Sequence, residues 1–207
     1  MLEAQNLAAT RGDTTLFSEL SFALAPGALL RLTGANGSGK TSLLRALCGL
    51  LMPSAGEVRW NGENIRALRE EYWKHLAYVG HADALKGDLT VEENLAIGCA
   101  LTGLRVPAAR ARAAIESLGL AGRERLPARV LSQGQRRRAA LARLAVSEAL
   151  PLWILDEPLA ALDTAAVERV QSLVGEHLSR GGMVVLTTHQ EARIKAPSVT
   201  DINLDRR

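Results

Sequence analysis

Lysine, cysteine and aromatic residues are all scarce in this chain of 207 residues, and each shortage narrows what it can be. The two cysteines, Cys48 and Cys99, form neither a CxxC pair nor a zinc spacing. Cys48 lies among Leu44, Leu47 and Leu51, where a buried, reduced thiol is expected, as suits a cytosolic protein. Aromatic residues make up 3% of the chain, so Trp60, Trp73 and Trp153 read as packing residues rather than a cofactor box. Only four of the 25 basic residues are lysine (Lys40, Lys74, Lys86, Lys195), which leaves 25 − 4 = 21 arginines. That bias, at a net charge of +3, reads as composition and not as a nucleic-acid footprint. No apolar run approaches the ~20 residues of a membrane span. The opening "MLEAQNLAAT" has an acidic residue and no cationic stretch, so no secretory signal is expected.

What is present suffices for one large domain with a subdomain set into it. Hydrophobic residues make up 47% of the chain, ample for a core. The opening third reads as strands and turns: "ALLRLTG" is an apolar run ending in glycine, "GEVRWNGENI" alternates between turns, and "LAYVG" is a further strand. From Val91 to about Gly119 the pattern is helical, with a break around Gly103 to Pro107. A second helical run starts near Ser132. "LWILD" and "MVVLTT" read as buried strands on either side of the helix "DTAAVERVQSLVGEHL". Strand, helix and strand in that order predict an α/β fold with a parallel sheet and crossover helices, and roughly 82–150 as a helical insertion.

The chemistry begins at Gly34-Ala35-Asn36-Gly37-Ser38-Gly39-Lys40-Thr41, which matches G-x-x-x-x-G-K-[ST] between a strand and a helix. Phosphates need a ring of backbone N–H donors, and glycines let the chain wrap close to them. The helix N-terminus adds its positive dipole end. Lys40 is placed to reach β- and γ-phosphates, with Ser42 next in the same helix and the Thr41 hydroxyl a ligand for Mg²⁺. "LWILDEP" ends an apolar strand in Asp156, a second holder of the magnesium shell, and Glu157, which can polarise a water for in-line attack. "LSQGQ" opens a helix with Ser132 as N-cap and small residues that permit close phosphate approach. His189 follows "MVVLTT", placed to contact a γ-phosphate.

In this order, the glycine loop, LSxGQ, DE, "AALD" and histidine closely resemble the ATP-binding subunits of ABC transporters, over nearly the whole chain. The resemblance implies a P-loop NTPase of the ABC ATPase fold, with an N-terminal antiparallel β subdomain and an inserted helical subdomain. It also implies two copies sandwiching two ATPs, so that Ser132, Gly134 and Gln135 bind the nucleotide held by the other copy and Asp163 lies at the interface. Three positions depart from the family pattern, one of them Gln133, which stands in the signature where glycine is common. Arg11 stands where an adenine-stacking aromatic is usual, and a guanidinium plane can also stack on a base. His81 stands where the family has its Q-loop glutamine. "RGDTTLF", "YVGH", "LSQGQRRRAALARL" and "LWILDEPLAALD" are similar to the ATP-binding subunits of cytochrome c maturation systems, the haem exporter subunits.

That likeness implies ATP hydrolysis coupled to membrane-spanning subunits in haem handling for cytochrome c biogenesis. The chain would then be peripheral, on the cytoplasmic face of the inner membrane. Neither cysteine has a nearby histidine, so direct haem binding is not expected. Another cargo stays open, because the membrane partner chooses it. A soluble ABC ATPase acting on nucleic acid or ribosomes would usually carry two cassettes or a long coiled-coil insert. Arg136-Arg137-Arg138 has no interleaved aromatic and reads as a solvated helix face rather than an RNA patch. His75 and His177 read as surface or core histidines, not metal ligands.

Overall fold

The computed structural model describes residues 1–188 and 193–206. In chain order its strands are β1 (Leu2–Arg11), β2 (Thr14–Leu24), β3 (Ala28–Thr33), β4 (Ala55–Trp60), β5 (Glu63–Asn64), β6 (Leu76–Val79), β7 (Leu152–Leu155), β8 (Met183–Thr187) and β9 (Ser198–Asn203). The helices are α1 (Lys40–Leu47), α2 (Ile65–Leu68), α3 (Glu70–Trp73), α4 (Val91–Ala100), α5 (Ala108–Ser117), α6 (Gln133–Leu141) and α7 (Thr164–Ser179).

Two sheets form. β2-β1-β4-β5 is antiparallel, and β6-β7-β8-β3-β9 is parallel throughout. The parallel strands are short apolar runs because both of their faces are covered. Trp153, Leu155, Val184 and Leu186 join a core with α4, α5 and α7. Their alternates Leu152, Ile154, Met183 and Val185 join a second core with α1, β1 and β2. Between β6 and β7 come α4, α5 and α6. Thr90 and Glu93 close a capping box at the start of α4, which fixes where that helix begins.

Register decides where the chemistry gathers. Val79 pairs with Leu155, Leu155 with Leu186, and Thr187 with Leu32. The carboxyl ends of β6, β7, β8 and β3 therefore lie side by side. The residues that follow them (His81, Asp156 with Glu157, Thr188, and the glycine loop) are brought to one edge of the sheet, the usual ligand edge of such folds.

One strand escaped sequence reading. β9 is an edge strand whose burial is confined to Ile202 and a half-buried Asn203, so it carries no apolar run. Its register is set instead by Arg31, which donates to both oxygens of Asp201 at 2.7 and 2.8 Å. That bidentate contact holds the Asp201 carboxyl below its ordinary range.

Among the described residues, no helix is long and apolar enough to cross a membrane. Both cysteines are free and buried. Trp60 and Trp153 are packed as expected, whereas Trp73 is 47% exposed.

Candidate active site

The loop from Gly34 to Gly39 ends β3 and opens α1 with three glycines in the left-handed region, at φ 139, 88 and 98° for Gly34, Gly37 and Gly39. Two of these have clear reasons. A Cβ at Gly39 would come within 3.0 Å of Leu16 and 3.2 Å of Phe17, so the loop can lie against β2 only without one. Gly37 faces open space, which leaves its backbone approachable. Lys40, the first residue of α1 and 7% exposed, folds its ammonium back to Gly34 O (2.7 Å) and Ala35 O (2.9 Å). Ser38 Oγ is buried without a hydrogen-bond partner among the described residues. Such a loop suits a polyphosphate: approachable backbone donors, an adjacent cation and a dipole of the right sign.

Arg11, Leu16, Asn36, Gly37, Gly39, Lys40, Thr41, Ser42, His81 and Glu157 line one cavity of about 510 Å³. That is ample for a nucleotide, given the ~300–1,000 Å³ of ordinary ligand sites. Nine of those ten positions were expected from sequence, Leu16 being the addition.

The carboxylates are held by an ordered set of bonds. Thr41 Oγ1 donates to Asp156 Oδ2 at 2.8 Å, and Thr187 Oγ1 donates to Asp156 Oδ1 at the same distance. Asp156 is 2% exposed. Its charge is thus flanked by two hydroxyls at the mouth of the loop. Magnesium is typically bound by one or two protein oxygens plus substrate phosphates, and Thr41 with Asp156 fits that donor set. Among the described residues, no cluster of three or more His, Cys, Asp or Glu is placed to hold a metal ion.

Glu157 has φ 48°, a left-handed conformation that costs a non-glycine residue about 1–3 kcal/mol. Neighbours hold it there. Its N–H donates to Thr187 Oγ1 at 2.8 Å, and its carbonyl accepts from Arg137 Nη2 at 2.8 Å. Arg137 departs from expectation: only 4% exposed, it is no part of a solvated face. Four backbone carbonyls bury it, those of Gly80, His81, Asp156 and Glu157. Arg136 and Arg138 are half-buried.

Ser132, Gly134, Gln135 and Asp163 stand apart from this cavity. Ser132 caps α6 as expected, and it and Gln135 bond reciprocally, Gln135 N to Ser132 Oγ at 3.3 Å and Ser132 N to Gln135 Oε1 at 3.0 Å. A Cβ at Gly134 would sit 2.8 Å from Ala161 O, so "LSQGQ" and "AALD" pack on each other within one chain. Asp163 caps α7 through Ala166 N at 2.8 Å. His189 lies outside the described residues.

Three contacts were missed in the sequence. Thr187 is a polar residue ending an apolar strand, a legible signal passed over. Asp205 accepts from Ala35 N with both oxygens, at 2.8 and 2.9 Å, and 170 residues of separation leave no local trace of it. Arg137 sits in a basic run that disguises it.

Comparison with known proteins supplies the family. Residues 17–160 match the ABC transporter family. The chain is 56% identical over 191 residues to the cytochrome c biogenesis ATP-binding export protein CcmA of Nitrosomonas europaea, covering 92% of this chain and 89% of that one. It is 52% identical over 203 residues to the protein of the same name from Nitrosospira multiformis, covering 98% of each. In fold it matches a putative ABC transporter ATP-binding protein from Pyrococcus furiosus with a TM-score of 0.83 at 24% identity, over 99% of this chain and 98% of that one. It also matches a dimeric ATP-binding cassette in a post-hydrolysis state bound to ADP and Pi, with a TM-score of 0.80 at 23% identity, over 92% and 88% of the two chains. Identity above half over nearly the full length makes this chain a member of the ABC transporter family of ATP-binding ATPases, among the cytochrome c biogenesis ATP-binding export proteins.

Proposed function

We propose that the chain is the ATP-hydrolysing subunit of a membrane ABC complex that handles haem for cytochrome c-type biogenesis, driving a release or export step. The observation that carries the hydrolytic part is the pair of neighbouring carboxylates in different settings. Asp156 is buried between two threonine hydroxyls, while Glu157 lines the cavity beside Lys40 and Thr41. A held carboxylate suits binding, and one at the cavity wall suits proton transfer.

In this reading the loop from Gly34 to Thr41 and Ser42 grips the phosphates, and Lys40 neutralises charge on the transferred group. Arg11 packs on the adenine. Glu157 orients the attacking water and accepts its proton, with His81 in the role of the Q-loop glutamine and His189 in contact with the γ-phosphate. Thr41 and Asp156 would hold Mg²⁺, which supplies charge neutralisation across the phosphates when bound. Residues of about 82–150 form the helical subdomain, whose Ser132, Gly134 and Gln135 meet the ATP of a second copy across an interface that includes Asp163.

Membrane-spanning partners of a cytochrome c maturation system would keep the chain on the cytoplasmic face of the inner membrane. Direct haem binding is no part of this reading, and both cysteines are buried, each 1% exposed.

Complementation tests the reading. In a bacterium stripped of its own related subunit, this chain should restore covalent haem in c-type cytochromes, and Glu157→Gln should not. Failure of the wild-type chain to restore them, with its membrane partners supplied, would assign it another cargo.

A further inference from the structure

We infer that Arg137 is a positioning residue for hydrolysis, tying the backbone that aims Glu157 to the helix that carries the Ser132 signature. This rests on Glu157 acting as the general base. Arg137 Nη2 donates to Asp156 O at 2.7 Å and Glu157 O at 2.8 Å. Nη1 donates to Gly80 O at 2.9 Å and lies 3.5 Å from His81 O and 3.4 Å from Asp83 Oδ1. One planar fork thus spans two segments, the turn after β6 and the turn after β7.

Three physical points argue that this is more than packing. A guanidinium buried mainly against carbonyls is an expensive way to fill space, and an apolar side chain would do so at lower cost. The peptide it grips is the strained one: Glu157, at φ 48°, is held at its N–H by Thr187 and at its carbonyl by Arg137. Without the second grip that backbone is free to relax towards ordinary φ, swinging the carboxylate away from the cavity wall. Finally, α6 begins next to Ser132, so Arg137 makes a rigid link from the signature to the catalytic turn of the same chain. A shift of α6 against the sheet would re-aim Glu157 and move the His81 turn together.

The fork geometry makes the inference testable. Lysine keeps the charge but loses the plane that serves two segments at once. ATP turnover and ATP affinity would be measured on the complex with its membrane subunits, for wild type, Arg137→Lys and Arg137→Met. Each is then repeated with Glu157→Gln. Both single variants should keep their affinity for ATP and lose kcat, on the order of 10²-fold for Arg137→Met, the usual cost of a misplacement near 1 Å. Added to Glu157→Gln, Arg137→Met should change the residual rate by less than about two-fold, because the group it aims is already gone.

Wild-type kcat in Arg137→Lys, or a full further loss in the Glu157→Gln background, would overturn the positioning role. Should Arg137→Met fail to fold, as a thermal melt would reveal, the Arg137→Lys kcat decides alone. A Glu157→Gln protein that turns over at the wild-type rate overturns the base assignment and this inference with it. An inactive Glu157→Gln beside a fully active Arg137→Lys overturns only the inference.

Discussion

Thr41 and Asp156, 115 residues apart, meet through one hydrogen bond of 2.8 Å from hydroxyl to carboxylate. The bond joins the first turn of α1 to the end of β7, and the Thr187 hydroxyl ties the same carboxylate to β8. Asp156→Asn keeps the shape but removes the charge and puts an amide donor against a hydroxyl. Stability should fall by about 1–3 kcal/mol, the cost of leaving a buried polar group unsatisfied. ATP binding should also lose most of its response to Mg²⁺. Nucleotide titrations with Mg²⁺ or with EDTA check this, and an unchanged magnesium response would remove Asp156 from the metal site.

Arg11 lines the same cavity as Leu16 and Glu157. If its guanidinium stacks on adenine, the contact contributes about 0.5–2 kcal/mol, so Arg11→Ala should weaken ATP binding by roughly two- to thirty-fold. Arg11→Tyr should retain most of the affinity. Equal affinities for wild type and the alanine variant would return Arg11 to the solvated surface.

His177 carries a pH dependence of folding. Its ring is stacked on Trp153 at 3.8 Å and 4°, and Nε2 is buried without a partner among the described residues. Burial first, and the Arg180 charge second, push its pKa from 6.5 down to about 4, against a hydrogen bond with the Met183 backbone. Below pH 6.5 the unfolded chain therefore takes up a proton that the fold refuses down to about pH 4. Stability should fall as pH drops through that window, because the unfolded state binds more protons there. Thermal melts at pH 7.5, 5.5 and 4.5 for wild type and His177→Gln check it, and the variant should lose less on acidification. Parallel curves would contradict the account.

Much of the fold was legible because the parallel strands are covered on both faces and must be apolar: "LWIL" and "MVVLT" announce themselves. β9 was hidden because an exposed edge strand needs no such run, only the Arg31–Asp201 pair. That the glycine loop and Glu157 share one cavity, with Asp156 bonded to Thr41, was readable because a glycine-rich turn and a pair of carboxylates each end an apolar strand of the same sheet. Arg137 was not. What buries it is the meeting of two turns 57 and 19–20 residues away, invisible to any local window. For Ser132, Gln135 and Asp163, the single chain explains only the capping of helices.

The central claim is that Glu157 drives hydrolysis while ATP joins two copies, and one measurement bears on both: the size of Glu157→Gln with ATP and with ADP, alongside its turnover. The amide can hold a water but is a far poorer base, so hydrolysis should drop on the order of 10²–10⁴-fold while ATP still binds. With nucleotide trapped, the variant should run as a dimer in ATP and a monomer in ADP. Adding Ser132→Arg should abolish the dimer and spare ATP binding. Wild-type turnover by Glu157→Gln, or a dimer indifferent to both the nucleotide and Ser132→Arg, would contradict the account.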